Sequence, residues 1–362
     1  MRATRQLHEL GQSIWLDNIT REMLDSGQLQ TYIDDYSVTG LTSNPSIFDK
    51  AIASGDYDQA IREAAATGTD REALFFDLAI EDLRRAADAF LPIHERTGGL
   101  DGWVSLEVSP LLAYDTAATV KVAKELHDRA ARPNLLIKIP GTKEGLPAIE
   151  EAIASGVPVN VTLLFSADQY RAAADAFMRG LERRIEAQQN PIVDSVASVF
   201  MSRWDVAVQD HVPEHLRDRL ALAVGLQVYR AYRELMDSER WQRLKNSGAR
   251  MQRLLWASTS TKDPNAPDDL YLHSLGAPFT VNTVPEPTLR AFYDHGHDVK
   301  AMPADGGDSE ATLAEFRTAG VDVDALASTL QTDGAKGFVN SWTDLLAHID
   351  EQSAALATGG SR

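Results

Sequence analysis

Short apolar runs, many of them β-branched, alternate along the chain with longer segments whose apolar positions recur at helical spacing. Eight of the short runs read as strands: SIWLDNI (13–19), SVTGLTSN (37–44), GWVSLEV (102–108), NLLIKIP (134–140), VPVNVTLLF (157–165), VDSVASVF (193–200), RLLWAS (253–258) and PFTVNTV (278–284). The segments between them carry helix-start signals. DTAATVKVAKELHDRAA (115–131) opens on an acidic cap and sets Val120, Ala123 and Leu126 along one face. The segment 166–188 opens on SADQ, with Ser166 as cap and Gln169 three positions on, a capping-box pattern.

Strand and helix repeated about eight times predict an α/β fold with a parallel sheet. Eight units favour closure into a barrel over an open, doubly wound sheet. No Gly-x-Gly-x-x-Gly follows the first strand, so a dinucleotide-binding half is not supported. The predicted architecture is one (β/α)8 TIM-barrel domain spanning 1–362, with extra helices inserted after strand 2 (46–101) and after strand 6 (201–250). KDPNAPDD (262–269) reads as an exposed loop, and 355–362 as a mobile tail.

Composition narrows the function classes. The chain has no cysteine, which excludes disulfides, thiolate metal sites and a cysteine nucleophile. Fifty-three acidic against 35 basic side chains leave a net charge of −18, which argues against nucleic acid or an anionic membrane as partner. The first residues, MRATRQLHELGQSIW, lack the apolar core of a secretory signal, and no apolar run reaches membrane-spanning length. A cytoplasmic enzyme is the expectation. An anionic small molecule would need a local basic cluster working against the global field.

The chemistry is carried by charges inside strands. Asp17, Glu107 and Lys138 each sit near the C-terminal end of a strand among large apolar residues. An ionised group in such a place costs several kcal/mol unless it is paired or lines a cavity. Three of them point to one pocket at the barrel face where catalytic groups collect. Burial of Lys138 between Ile137 and Ile139 favours a neutral amine, a nucleophile toward carbonyls and a Schiff-base former. A core ion pair with one of the acids accounts for Lys138 alone equally well. The carboxylates fit either reading, as proton shuttles or as counter-charges.

Polar pairs two residues apart share a strand face. Asn160 with Thr162, and Thr42 with Asn44, can hold a water and substrate hydroxyls, or can belong to a hydrogen-bonded barrel layer and an Asn-Pro turn. Arg203 after strand 6 and Lys262 after strand 7 lie where barrels bind phosphate, with Ser198, Ser258 and Ser260 as hydroxyl donors. His295 and His297 in DHGHD have no third ligand, and a surface turn is the expectation, so no metal is predicted.

Four stretches together, GLTSNPSIF (40–48), WVSLEVSPLLAYD (103–115), LLIKIPGTKEGLPAI (135–149) and VNVTLLFSADQY (159–170), resemble transaldolases of the longer bacterial type. The resemblance runs from Asp17 to about Lys262. It implies a Schiff-base (β/α)8 enzyme without metal or organic cofactor, which moves a dihydroxyacetone unit between phosphorylated ketoses and aldoses of the pentose phosphate pathway. The physiological pair is sedoheptulose 7-phosphate with glyceraldehyde 3-phosphate, giving erythrose 4-phosphate and fructose 6-phosphate. By this resemblance Lys138 is the Schiff-base lysine, and Asp17 takes the hydroxyl proton that drives carbon–carbon cleavage. Glu107 is the general acid/base, acting through a water held by Thr162. Asn44 and Asn160 orient dihydroxyacetone hydroxyls, and Ser198 and Arg203 hold the phosphate end.

The chain departs from the family at one point. Where better-known transaldolases have an Ala-Ser-Phe-Arg stretch after strand 7, Ala257-Ser258 is followed here by Thr259 and Ser260. The second phosphate arginine is missing, and Lys262 is the cation left nearby. Two other readings stay open: an aldolase that releases free dihydroxyacetone, and a non-catalytic sugar-phosphate sensor. Nothing in the sequence distinguishes a monomer from a homodimer.

Overall fold

The computed structural model describes residues 1–359. Eight parallel strands close in chain order into one barrel: β1 (Ser13–Leu16), β2 (Val38–Thr42), β3 (Val104–Glu107), β4 (Leu135–Pro140), β5 (Val159–Leu164), β6 (Ser195–Phe200), β7 (Gln252–Ala257) and β8 (Thr280–Val284). Every strand residue is buried, because the inner face fills the barrel and the outer face packs on helices. That is why the strands are legible as short apolar runs.

The predicted caps are in place. Asp115 accepts from the Ala118 amide at the start of Thr116–Ala130, and Ser166 accepts from Gln169 N at the start of Ala167–Glu186. The Gln169 side chain reaches back to accept from Phe165 N at 2.7 Å, completing a reciprocal cap. The insertion after β2 is three helices, Pro45–Ala53, Asp58–Thr67 and Arg71–Arg96. After β6 come Ser202–Val208, Leu220–Asp237 and Glu239–Asn246. The link from β7 to β8 holds only the short helix Leu270–Ser274.

The two ends of the barrel use polar residues differently. At the N-terminal end, Trp15 donates to Asp101 at 2.8 Å, and Arg253 donates to Ser13 Oγ, Thr280 O and Leu100 O. Gly40 is required beside this plug: a Cβ there would lie 2.6 Å from the Trp15 ring and 2.7 Å from Trp103 O. This end is a hydrogen-bonded structural layer beside a mainly apolar cavity of about 230 Å³, and the C-terminal end is the one a barrel uses for chemistry.

The last element is one long helix, Val323–Gly359, packed on the helices inserted after β2. Sequence reading did not anticipate it. Of the tail expected at 355–362, residues up to Gly359 continue this helix, and 360–362 lie outside the described residues. Among the described residues no helix is long and apolar enough to cross a membrane.

Candidate active site

Parallel register builds the site. Glu107 of β3 pairs with Lys138 of β4, and Lys138 pairs with Asn160 of β5, so the three side chains form one row inside the barrel. Lys138 Nζ donates to Glu107 Oε2 at 2.9 Å and to Ser43 O at 2.9 Å. Lys138 and Glu107 are each only 6% exposed. Burial raises the Glu107 carboxyl above its ordinary value; the Lys138 charge and hydrogen bond oppose that, and Asp17 adds to it. Glu107 Oε1 and Thr162 Oγ1 are both buried without a protein hydrogen-bond partner, two polar atoms that need a guest.

Asp17 follows β1 directly and faces the same cavity. Its depth raises the carboxyl above the usual aspartate value, against the lowering effects of Lys138, Thr42 and Asn44. Thr42 donates to Asp17 Oδ1 at 2.8 Å, so in the 2.6 Å contact between Thr42 and Thr283 the Thr283 hydroxyl is the donor. Asn160 donates to Ser105 Oγ at 3.1 Å and accepts from Ser198 Oγ at 2.6 Å. Asn44 caps the helix Pro45–Ala53, accepting from Ile47 N and Ser46 Oγ, and lines the same cavity as Asp17, whose carboxyl it helps to lower. The turn and the site are thus one feature.

A cation stands at the other wall. Arg203 lies 5.0 Å over the Phe200 ring and has no ion pair among the described residues; burial alone pulls its guanidinium below the usual value. Ser258, a non-glycine at φ 55°, contacts Ser202 Oγ at 2.9 Å. Lys262 is exposed at the rim and donates to Ser260 Oγ at 2.6 Å. Two cations thus stand at one wall of the cavity in a protein that is acidic overall.

All eleven residues singled out for catalysis and substrate binding, except Glu107, line one cavity of about 340 Å³, and Glu107 touches it through Lys138. Lining residues that were missed include Thr283, Phe200, Lys50 and Phe338. Thr283 sits in a strand whose polar positions carry no charge signal. Phe200 reads as ordinary core, and Lys50 as an ordinary exposed helix lysine. Phe338 belongs to the unanticipated C-terminal helix. His295 pairs with Asp268 at 2.8 Å at the end of Glu286–His295, and no cluster suited to a metal occurs among the described residues.

Known proteins resemble this chain along nearly its whole length. The family described as Transaldolase/Fructose-6-phosphate aldolase matches residues 14–349. A protein named transaldolase from Thermobifida fusca (strain YX) is 45% identical over 97% of this chain and 98% of its own length. Transaldolases of Parafrankia sp. (strain EAN1pec) and Acidothermus cellulolyticus are 43% and 45% identical, over 97% and 95% of the chain and 98% and 95% of their own lengths. A likeness that spans every strand of the barrel and nearly the whole of both partners leaves one conclusion: the chain belongs to the transaldolase/fructose-6-phosphate aldolase family.

Proposed function

We propose that this protein is a transaldolase, transferring a dihydroxyacetone unit from a ketose phosphate to an aldose phosphate through a Schiff base on Lys138. The observation that carries the reading is a buried lysine 2.9 Å from a buried glutamate, in a cavity shared with Asp17 and a free arginine. Glu107 takes a proton from Nζ, and the neutral amine adds to the ketose carbonyl. Loss of water from the carbinolamine, protonated by Glu107, leaves an iminium. A water bridging Glu107 Oε1 and Thr162 Oγ1 would satisfy both orphan atoms and extend the reach of the shuttle.

Asp17 then accepts the proton of the C4 hydroxyl. The C3–C4 bond breaks, its electrons pass to the iminium, and the aldose phosphate leaves an enamine on Lys138. An acceptor aldose adds at the same carbon, and the steps run in reverse. Thr42 and Asn44 orient Asp17 and the hydroxyls near it, while Asn160 and Ser198 orient those at the β5–β6 side. Arg203, Ser258 and Lys262 receive the phosphate. Phosphorylated ketoses and aldoses are thus the substrates, and the cytoplasm the compartment.

The family also contains fructose-6-phosphate aldolases, which share the lysine chemistry. Relatives matched along their whole length are named transaldolase, which favours transfer. A sensor has no use for a buried lysine between two acids. The test is formation of glyceraldehyde 3-phosphate and sedoheptulose 7-phosphate from fructose 6-phosphate plus erythrose 4-phosphate, with Lys138→Ala as control. Transfer by the wild type and none by the variant is expected; transfer by a folded Lys138→Ala protein refutes the reading.

A further inference from the structure

The C-terminal helix Val323–Gly359 puts three successive turns against the active site. Gln331 donates from Nε2 to Gly141 O at 3.0 Å and to Leu163 O at 2.9 Å. Leu163 is a non-glycine residue at φ 60°, where the β5–β6 register shifts, immediately after Thr162. The helix is therefore anchored to the strained end of the strand that carries site residues. Three positions on, Gly334 permits close approach: a Cβ there would lie 2.9 Å from Leu163 Cδ2 and 3.0 Å from Arg203 Nη1. Four positions further, Phe338 reaches the cavity.

The Phe338 ring centre is 5.8 Å from Lys138 Nζ and 6.0 Å from Arg203 Cζ, and 6.4 Å from the Phe200 ring. It is half-buried, with one part packed and another bordering the cavity. Beyond it, Trp342 packs edge-on to Phe75 at 4.9 Å, and His348 pairs with Asp49 at 2.5 Å. The ring is held from both ends of the helix and cannot drift from the mouth without breaking these contacts.

An enamine on Lys138 has two fates. It can add through carbon to an acceptor aldehyde, which is transfer. It can instead take a proton at carbon, after which water adds to the iminium carbon, the C–N bond breaks, Lys138 departs as an amine and free dihydroxyacetone is released. The second fate needs water at the iminium carbon next to Nζ, on the side of the cavity that the Phe338 ring borders 5.8 Å from Nζ. We propose that Phe338 is a specificity-determining residue of this site, screening the lysine adduct from water so that the three-carbon unit passes to an aldose. The proposal rests on Lys138 being the Schiff-base lysine.

The test uses full-length wild type, Phe338→Ala and Phe338→Leu with fructose 6-phosphate and erythrose 4-phosphate, and reads dihydroxyacetone released per sedoheptulose 7-phosphate formed. Phe338→Ala should raise that ratio roughly tenfold, equivalent to about 1.4 kcal/mol between the two barriers. Phe338→Leu, which keeps much of the apolar bulk, should raise it less. A merely structural role would lower both products together and leave the ratio unmoved, so an unchanged ratio in the folded variants overturns the proposal. If Phe338→Ala does not fold, an unchanged ratio in Phe338→Leu does so alone. Borohydride trapping separates the two levels: a wild-type adduct on Lys138 with an unchanged ratio refutes only the role of Phe338, whereas no adduct refutes the Schiff-base reading beneath it.

Discussion

Replacing Glu107 by glutamine should uncouple rate from stability. The carboxylate and the Lys138 ammonium are 2.9 Å apart, and at an effective dielectric of about 20 their attraction is on the order of 6 kcal/mol. Burial nevertheless raises the Glu107 carboxyl, so desolvation outweighs that attraction. A carboxyl whose folded value is raised contributes stability below its unfolded value, near pH 4.5, and loses it as pH rises through the folded value. At neutral pH the charge on Glu107 is therefore a burden that glutamine removes while keeping a carbonyl oxygen for Nζ. The melting temperature should move little, because the desolvation relieved at Glu107 offsets the ion pair that Nζ loses. Turnover should fall roughly 100-fold or more, about 2.7 kcal/mol on the barrier, because the proton shuttle is gone. Thermal melts beside a coupled transfer assay from pH 5 to 9 read both, and the limb of the rate profile contributed by Glu107 should vanish. A folded variant with a wild-type rate reduces Glu107 to a counter-charge; a large loss of stability makes the pair a structural one.

Three further outcomes follow from the same geometry. Arg203→Gln should raise KM for phosphorylated sugars roughly 10- to 100-fold, the worth of one or two charged hydrogen bonds; equal loss with unphosphorylated erythrose as acceptor argues against phosphate contact. Lys262→Gln should raise KM only a few-fold and only at low salt, because the side chain is exposed and screened; an effect as large as that of Arg203→Gln would make Lys262 the main anchor. Asp205, two residues beyond Arg203, accepts from Tyr271 at 2.6 Å and from Ala221 N, and burial pushes its carboxyl up to about 6. Its contribution to stability is full below the unfolded value near pH 3.8 and is lost as pH climbs to about 6. Measured by urea unfolding, the stability of Asp205→Asn relative to wild type should therefore improve by up to roughly 3 kcal/mol over that window and be level above it; a difference independent of pH contradicts the raised value.

The barrel was legible because its strands are buried on both faces, so each is a short apolar run wherever it falls. Lys138, Glu107 and Asp17 stood out for the same reason: a charge has no cheap place in such a strand. Arg253 obeys that rule too, yet serves the opposite end, and its place as the second residue of β7 is the sign of it. The C-terminal helix escaped notice because Gly334 and Gly337 lower helix propensity in mid-element by about 1 kcal/mol each. Its apolar positions at Leu326, Leu330, Phe338, Trp342, Leu345 and Ile349 nevertheless keep helical spacing. What no spacing reveals is that this helix crosses to the barrel mouth, so Phe338 is visible only in three dimensions. Lys50 is a related case, since an exposed helix lysine looks the same whether it faces solvent or a substrate.

Covalent chemistry at Lys138 is the centre of the account, and borohydride trapping with fructose 6-phosphate followed by peptide mass mapping tests it most directly. A reduced three-carbon or six-carbon adduct on the peptide bearing Lys138 is the expected result. No adduct on a folded protein shown to bind the sugar would contradict the Schiff-base mechanism, and an adduct on another lysine would contradict the assignment of the site.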